Sequence, residues 1–278
     1  MLNKFIFPIL IFTFILNIQS SLAQKALTIG EEHILHSDIL DQDRTILVGL
    51  PRNYDAEKKY PVLYLLDGRR YFLMAHGVID FLEGRAQKIP EIILVSIPNI
   101  YRNTDLTPVY ETDDPNARLI EYSGGAENFL KFIKDELQPF INSNYSSNDN
   151  NILFGHSVAG LFATYAFLNE PELFDSYITS DPSLWYGEGM MINKFSANKI
   201  AFQKIEKSIY MTQIDRSKDE EDIMSRPQAD FMAILDELPN IRASKVLITG
   251  ESHGTVPLKS LYQGLPFIFK DYEAEFGY

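Results

Sequence analysis

Residues 153–161 read LFGHSVAGL: an apolar run enters His156-Ser157, with Gly155 two residues before the serine, Ala159 two after and Gly160 three after. With Asn151 to Phe154 as a strand and Val158 to Leu168 as the following helix, Ser157 occupies a turn of one or two residues. So sharp a turn forces strained dihedrals on the serine. It also brings the chain on either side so close that side chains larger than methyl collide. Gly155 and Ala159 meet that demand, and Gly160 lets the helix pack tightly on the sheet. The pattern is the G-x-S-x-G strand-turn-helix elbow with alanine in its last slot. It lifts Ser157 Oγ clear of the sheet and aims the Val158 N–H, at a helix start, where an oxyanion would form. A serine that merely caps a helix gives a similar local pattern; the position at a strand-helix junction favours the elbow.

Outward from this stretch, strand-like and helix-like segments alternate. Thr45 to Leu50, Val62 to Leu66, Ile92 to Ile97, Ile152 to Phe154, Tyr177 to Thr179, Ser208 to Thr212 and Val246 to Thr249 are short and apolar. Between them lie helical periods, clearest over Ala126 to Asn142, where Phe129, Ile133, Leu137, Phe140 and Ile141 recur near 3.6 spacing. Strands too apolar to keep a wet face, alternating with helices, predict an α/β fold: a mostly parallel sheet with helices on both faces. In such sheets sites form beyond the carboxyl ends of the strands.

The chain has 278 residues with 45% hydrophobic content, no internal repeat and no Pro/Gly/Ser-rich linker, which suits one compact domain over 24–278. Residues 1–23 carry one lysine, an apolar run from Phe5 to Ile18 and then Ser21-Leu22-Ala23. They read as a secretory signal cleaved before Gln24, too short for a membrane span. The expected location is therefore periplasmic or extracellular, with no integral span after signal removal. The chain has no cysteine, so neither disulfides nor a thiolate nucleophile are available, and the fold rests on core burial. The net charge of −13, or −14 without Lys4, repels nucleic acid at long range. No cofactor is expected, and oligomeric state is not legible.

A serine hydroxyl needs a base, and the base needs a carboxylate to hold it. Of five histidines, His33 and His36 precede the expected sheet, His76 falls in a helix after the Val62 strand, and His156 shapes the elbow. His253 remains: in KVLITGESHGTVPLKSL it follows an apolar strand, stands near Gly250 and Gly254, and precedes a helix that Pro257 can open. The acid is expected after the penultimate strand, in KSIYMTQIDRSKDEEDI. Asp215, directly after the strand, is the choice; Asp219, Glu220, Glu221, Asp222 or no carboxylate at all are the alternatives. In PVLYLLDGRRYF, Gly68 lets the backbone turn close to the site, the Arg69 N–H is a second oxyanion donor, and the Arg69 and Arg70 side chains lie near substrate or are simply solvated.

These residues bring a family into view. From about Leu35 to Tyr272 the chain resembles the esterase D branch of the α/β-hydrolases, and within it the ferric-siderophore esterases that cleave enterobactin-type or bacillibactin-type trilactones. The segments that carry the resemblance are YPVLYLLDGRRYF, RNTDLTP, SGGAENFLKFIKDELQPFI, NILFGHSVAGLFATYAFLNEPELFDSYI, SDPSLWYG and ESHGTVPLKSLYQGLPFIF. It implies an eight-stranded sheet, Ser157 as nucleophile, His253 as base, oxyanion donors from Val158 and the loop after Gly68, and Trp185 of the PSLW segment in the substrate pocket. Two departures stand out: Ala159 where relatives usually have glycine, and TQID where relatives often carry Gly-x-x-Glu.

The leading expectation is an exported serine esterase that forms an acyl-enzyme on Ser157, with a small-molecule ester such as a siderophore trilactone as substrate. Acetyl or feruloyl esters of a polysaccharide, acyl transfer to a sugar or lipid, and a scaffold that only binds ligand are the alternatives. A neutral imidazole base predicts a rate that falls below about pH 6 to 7.

Overall fold

The computed structural model describes residues 27–114 and 120–274. The segment 1–23, expected as an export signal, lies outside them. Eight strands form one sheet: β1 (Glu31–Ser37), β2 (Gln42–Gly49), β3 (Tyr60–Leu66), β4 (Ile93–Ile97), β5 (Ser147–His156), β6 (Ser176–Ser180), β7 (Lys207–Ile214) and β8 (Ile241–Ile248), in the order β1-β2-β4-β3-β5-β6-β7-β8. The β1/β2 and β2/β4 pairs are antiparallel and all the others parallel. Seven of the strands correspond to the apolar runs of the sequence. The eighth, β1, has the sequence EEHILHS and pairs with β2 alone. An edge strand keeps one side in water, and its polarity hides it from a search for apolar runs. His33 and His36 thus lie on a sheet edge, bonded to Tyr145 at 2.6 Å and Asp43 at 2.8 Å respectively.

The central strands bury both faces, and their period of two deals side chains into two cores. Val62, Tyr64 and Leu66 of β3 join Leu153 and Tyr177 on one side; Leu63 and Leu65 join Ile152, Phe154 and Ile178 on the other. Helix α1 (Gly68–Asp80) covers the second face together with the last helix of the chain. The first face takes α2 (Arg102–Leu106), α3 (Ala126–Phe132), α4 (Gln138–Asn144), α5 (Val158–Asn169), α6 (Tyr186–Asn198) and α7 (Ser225–Leu235). The terminal helix is α8 (Val256–Ile268). At about 1.5–3 kcal/mol for each fully buried aliphatic or aromatic side chain, these two cores are the main source of stability in a chain without disulfides.

Helix α5 is the centre of the first layer. Ten of its twelve residues are buried, because it lies on β5 and β6 and is itself covered by α2, α3 and α6. A helix enclosed on all sides shows no polar stripe, and VAGLFATYAFLN has none. The helix expected over Ala126 to Asn142 is present as α3 and α4 joined by a π-helical turn, Ile133–Leu137. Pro139 gives no N–H to the carbonyl four residues back, and the wider turn before it accommodates its ring.

Candidate active site

β5 ends at His156 and α5 starts at Val158, so one residue makes the turn. Ser157 has φ 59° and ψ −117°, a conformation that costs a non-glycine residue roughly 1–3 kcal/mol and persists only where neighbours fix it. Its N–H donates to the Ser180 carbonyl at 3.0 Å, and its own carbonyl accepts from Leu161 and Ser183 N–H groups, both at 3.0 Å. A Cβ on Gly155 would stand 2.1 Å from the Ala159 carbonyl oxygen, so glycine is required there. Ala159 itself is fully buried. On Gly160 a Cβ would meet Pro182 at 2.8 Å. The small residue serves close approach to the chain leaving β6 and, with that Cβ 3.3 Å from the Gly155 carbonyl oxygen of β5, to the sheet as well.

The Ser157 Oγ lies 2.9 Å from His253 Nε2, although 96 positions separate the two residues. His253 stands on the turn after β8, where Ser252 N–H donates to Thr255 Oγ1 at 2.9 Å and Val256 N–H to the Ser252 carbonyl at 3.0 Å. The other imidazole nitrogen, Nδ1, is 2.6 Å from Asp181 Oδ2. Serine, imidazole and carboxylate thus form one hydrogen-bonded chain. The Ser183 Oγ, 3.3 Å from Ser157 Oγ, completes the nearest shell.

The carboxylate is not the one expected. Asp215 is exposed, and its Oδ1 accepts the Ser217 N–H at 2.9 Å. Successive residues of an extended chain point to opposite sides; as the chain leaves β7, Asp215 turns outward and Arg216 inward. The alternatives also lie elsewhere. Asp222 caps the Met224 and Ser225 N–H groups at 2.9 and 3.0 Å, Asp219 approaches Arg216, and Glu220 and Glu221 are exposed. The acid at His253 comes instead from the end of β6. Its sequence signal was an aspartate straight after the short strand SYITS, followed by proline, one strand over from the serine.

Asp181 is fully buried, with φ 46°. Arg216 Nη1 donates to its Oδ1 at 2.9 Å, Nη2 to its Oδ2, and Gln228 Nε2 to Oδ1 at 3.2 Å. Burial alone would raise the carboxyl. Hydrogen bonds from His253 and Arg216, the guanidinium charge and the Gln228 amide outweigh it and hold Asp181 far below the ordinary carboxylate range. Neither Arg216 nor Gln228 was singled out from sequence.

His156, also buried, packs its ring 4.5 Å from that of His253 and bonds through Nδ1 to Tyr71 Oη at 3.0 Å. Burial, and then the neighbouring His253, push it down to about 4, so it is neutral in the working range. Val158 opens α5, and its N–H is free of the helix ladder. Gly68 opens α1 beside it, since β3 and β5 are neighbours. A Cβ on Gly68 would stand 2.6 Å from Ile97 and Pro98 backbone atoms. The buried carboxylate of Asp67 anchors this corner, accepting from Arg102 Nε at 2.6 Å, Arg102 Nη2 at 2.8 Å and Asn99 at 2.5 Å. Arg69 and Arg70 are exposed on the first turn of α1, and Trp185 is half-buried two residues after Ser183.

The model of the Esterase family, described as "Putative esterase", matches residues 37–225. The chain belongs to this family. It is a carboxylic-ester hydrolase, and the matched segment holds Ser157 and Asp181 but ends before His253. This esterase is 27% identical over 253 residues to the ferri-bacillibactin esterase BesA of Bacillus subtilis (strain 168), with 84% of this chain and 87% of the relative covered. Among solved structures, an IroE-like serine hydrolase from Shewanella oneidensis superposes with a TM-score of 0.78 at 29% identity, over 88% of this chain and 81% of the other. The siderophore hydrolase EstB from Aspergillus nidulans does so with a TM-score of 0.75 at 26% identity, over 91% and 98%. The likeness to siderophore esterases read from sequence agrees with these relatives, as does the single, mostly parallel eight-stranded sheet.

Proposed function

We propose that this esterase is exported and hydrolyses the ester bonds of an iron-loaded siderophore trilactone through an acyl-enzyme on Ser157. The observation that carries the chemistry is the continuous chain Ser157 Oγ, His253, Asp181, at 2.9 and 2.6 Å. His253 Nε2 takes the hydroxyl proton as Oγ attacks the ester carbonyl. The N–H groups of Val158 and Arg69 stabilise the oxyanion. The imidazolium returns its proton to the leaving alkoxide, and water then releases the acyl group by the same steps. Asp181 holds the imidazole with its proton on Nδ1 and stabilises the imidazolium.

The substrate class draws support from the relatives and from charge. A ferric tris-catecholate is an anion with aromatic faces. In a chain of net charge −13, Arg69 and Arg70 sit exposed beside the site, and Tyr101 and Tyr122 present exposed rings at the α2 end. Export draws support from the composition of residues 1–23. The test is hydrolysis of an iron-loaded trilactone, acetylated xylan and feruloylated xylan by the parent and by Ser157→Ala. The expected result is Ser157-dependent release from the trilactone well above either xylan. Equal rates on all three, or faster release from a xylan, contradict the substrate assignment. Recovery from the cytoplasm of its source cells with residues 1–23 still attached contradicts export.

A further inference from the structure

We infer that Arg216 is a positioning residue of the triad: its two-pronged grip on Asp181 keeps that carboxylate an acceptor for His253. The inference rests on the Ser157-His253-Asp181 reading and adds a fourth member to it. Both terminal nitrogens of Arg216 are engaged, one on each oxygen of Asp181. The Arg216 side chain is 7% exposed and the Asp181 side chain 0%, so this is a buried ion pair one bond removed from the base. Gln228 fixes the same corner from α7, bonding Asp181 Oδ1 at 3.2 Å and the Pro182 carbonyl at 2.9 Å.

A carboxylate sealed from water without a cation takes up a proton or is strongly destabilised. A protonated Asp181 could donate to His253 Nδ1. That would favour the tautomer with its proton on Nε2, which cannot accept one from Ser157. The guanidinium prevents this by keeping Asp181 ionised and acceptor-only. The other groups facing this cluster are His156 from the end of β5, with Asp67 and Arg102 behind it, and Asp219 and Asp222. These last two approach Arg216 Nε at 3.9 and 4.0 Å. They steady the guanidinium from its third edge.

Removal of the guanidinium therefore moves the acid limb of the rate profile to higher pH, because the buried Asp181 then takes up a proton more readily. A merely structural role lowers the amount of folded enzyme and leaves the limb in place. The test is kcat and KM for p-nitrophenyl acetate against pH, with melting temperature, for the parent, Arg216→Met, Arg216→Lys and Ser157→Ala. Arg216→Met is expected to lose roughly 10- to 1000-fold in kcat, with KM little changed and the acid limb about one pH unit higher. Arg216→Lys restores the charge without the fork, so the limb returns toward the parent's while kcat stays about tenfold low. Arg216→Met with the parent's limb, or with parent-level kcat, overturns the inference. If Arg216→Met does not fold, Arg216→Lys decides: parent-level kcat overturns the inference, and a loss of kcat in a folded protein supports it. Parent activity that survives Ser157→Ala would instead remove the Ser157 reading, whatever the arginine variants do.

Discussion

At Asp181 a buried carboxylate meets both a guanidinium and the His253 imidazole, and the two candidate acids can be told apart by substitution. Asp181→Asn keeps the shape but lets the amide donate to His253 and favour the wrong tautomer; kcat is expected to fall by about 10³–10⁴. Asp215→Asn removes only an exposed turn bond and leaves kcat/KM within about twofold. Steady-state kinetics of the two variants side by side check this, and equal losses would place the acid wrongly. The meeting of Ser157 with His253 at 2.9 Å was legible because each residue carries a local signal: small residues around a one-residue turn, and a loop histidine after a late strand. Asp181 was not. Which of several post-strand aspartates faces His253 depends on which side of the chain it leaves the sheet from, and neither composition nor chain order encodes that.

The elbow works as an element, and its tolerance for a methyl group differs sharply by position. Gly155→Ala drives a Cβ to 2.1 Å from a backbone oxygen, which only movement of the first turn of α5 can relieve. The expected cost is about 3 kcal/mol or more of stability, together with loss of hydrolysis. Gly77, exposed within α1, has nothing within 4 Å of its would-be Cβ. Gly77→Ala is expected to stabilise by about 0.5–1 kcal/mol, because alanine loses less backbone entropy on entering a helix. Thermal melting of the pair tests both signs. The same scale explains what the sequence concealed. Strand β1 is mostly polar because it is an edge, α5 lacks a stripe because it is enclosed, and the run from Ala126 widens ahead of Pro139. For β1 and α5 the surroundings of the element, and not its own pattern, set the outcome; for the third it is a single proline within the run.

For the whole molecule, pH acts on stability through a group far from the serine. Glu83, in the turn after α1, is pushed up to about 7, chiefly by burial, against a hydrogen bond from the Ile92 N–H and with Glu91 and Asp80 adding to the rise. Between its ordinary 4.5 and about 7 the folded chain holds a proton that the unfolded chain releases. Stability therefore falls as pH rises through that window, by at most about 3 kcal/mol. Glu83→Gln is expected to flatten the dependence in urea unfolding at pH 5 and 7.5; an unchanged slope would show that another group is responsible. Asp181 acts with the opposite sign: its lowered carboxyl contributes stability above the ordinary carboxylate range, lost only as pH falls well below it. The fold's larger task is to join the ends of β5, β6 and β8, so that residues 157, 181 and 253 meet. That meeting is tested most directly by acid-quenching the protein within its first turnover of p-nitrophenyl acetate and weighing the Ser157 peptide. One acetyl group on Ser157, absent from Ser157→Ala and much reduced in His253→Ala, is the predicted result. Ester cleavage at full rate with no acetyl on Ser157 would contradict the account.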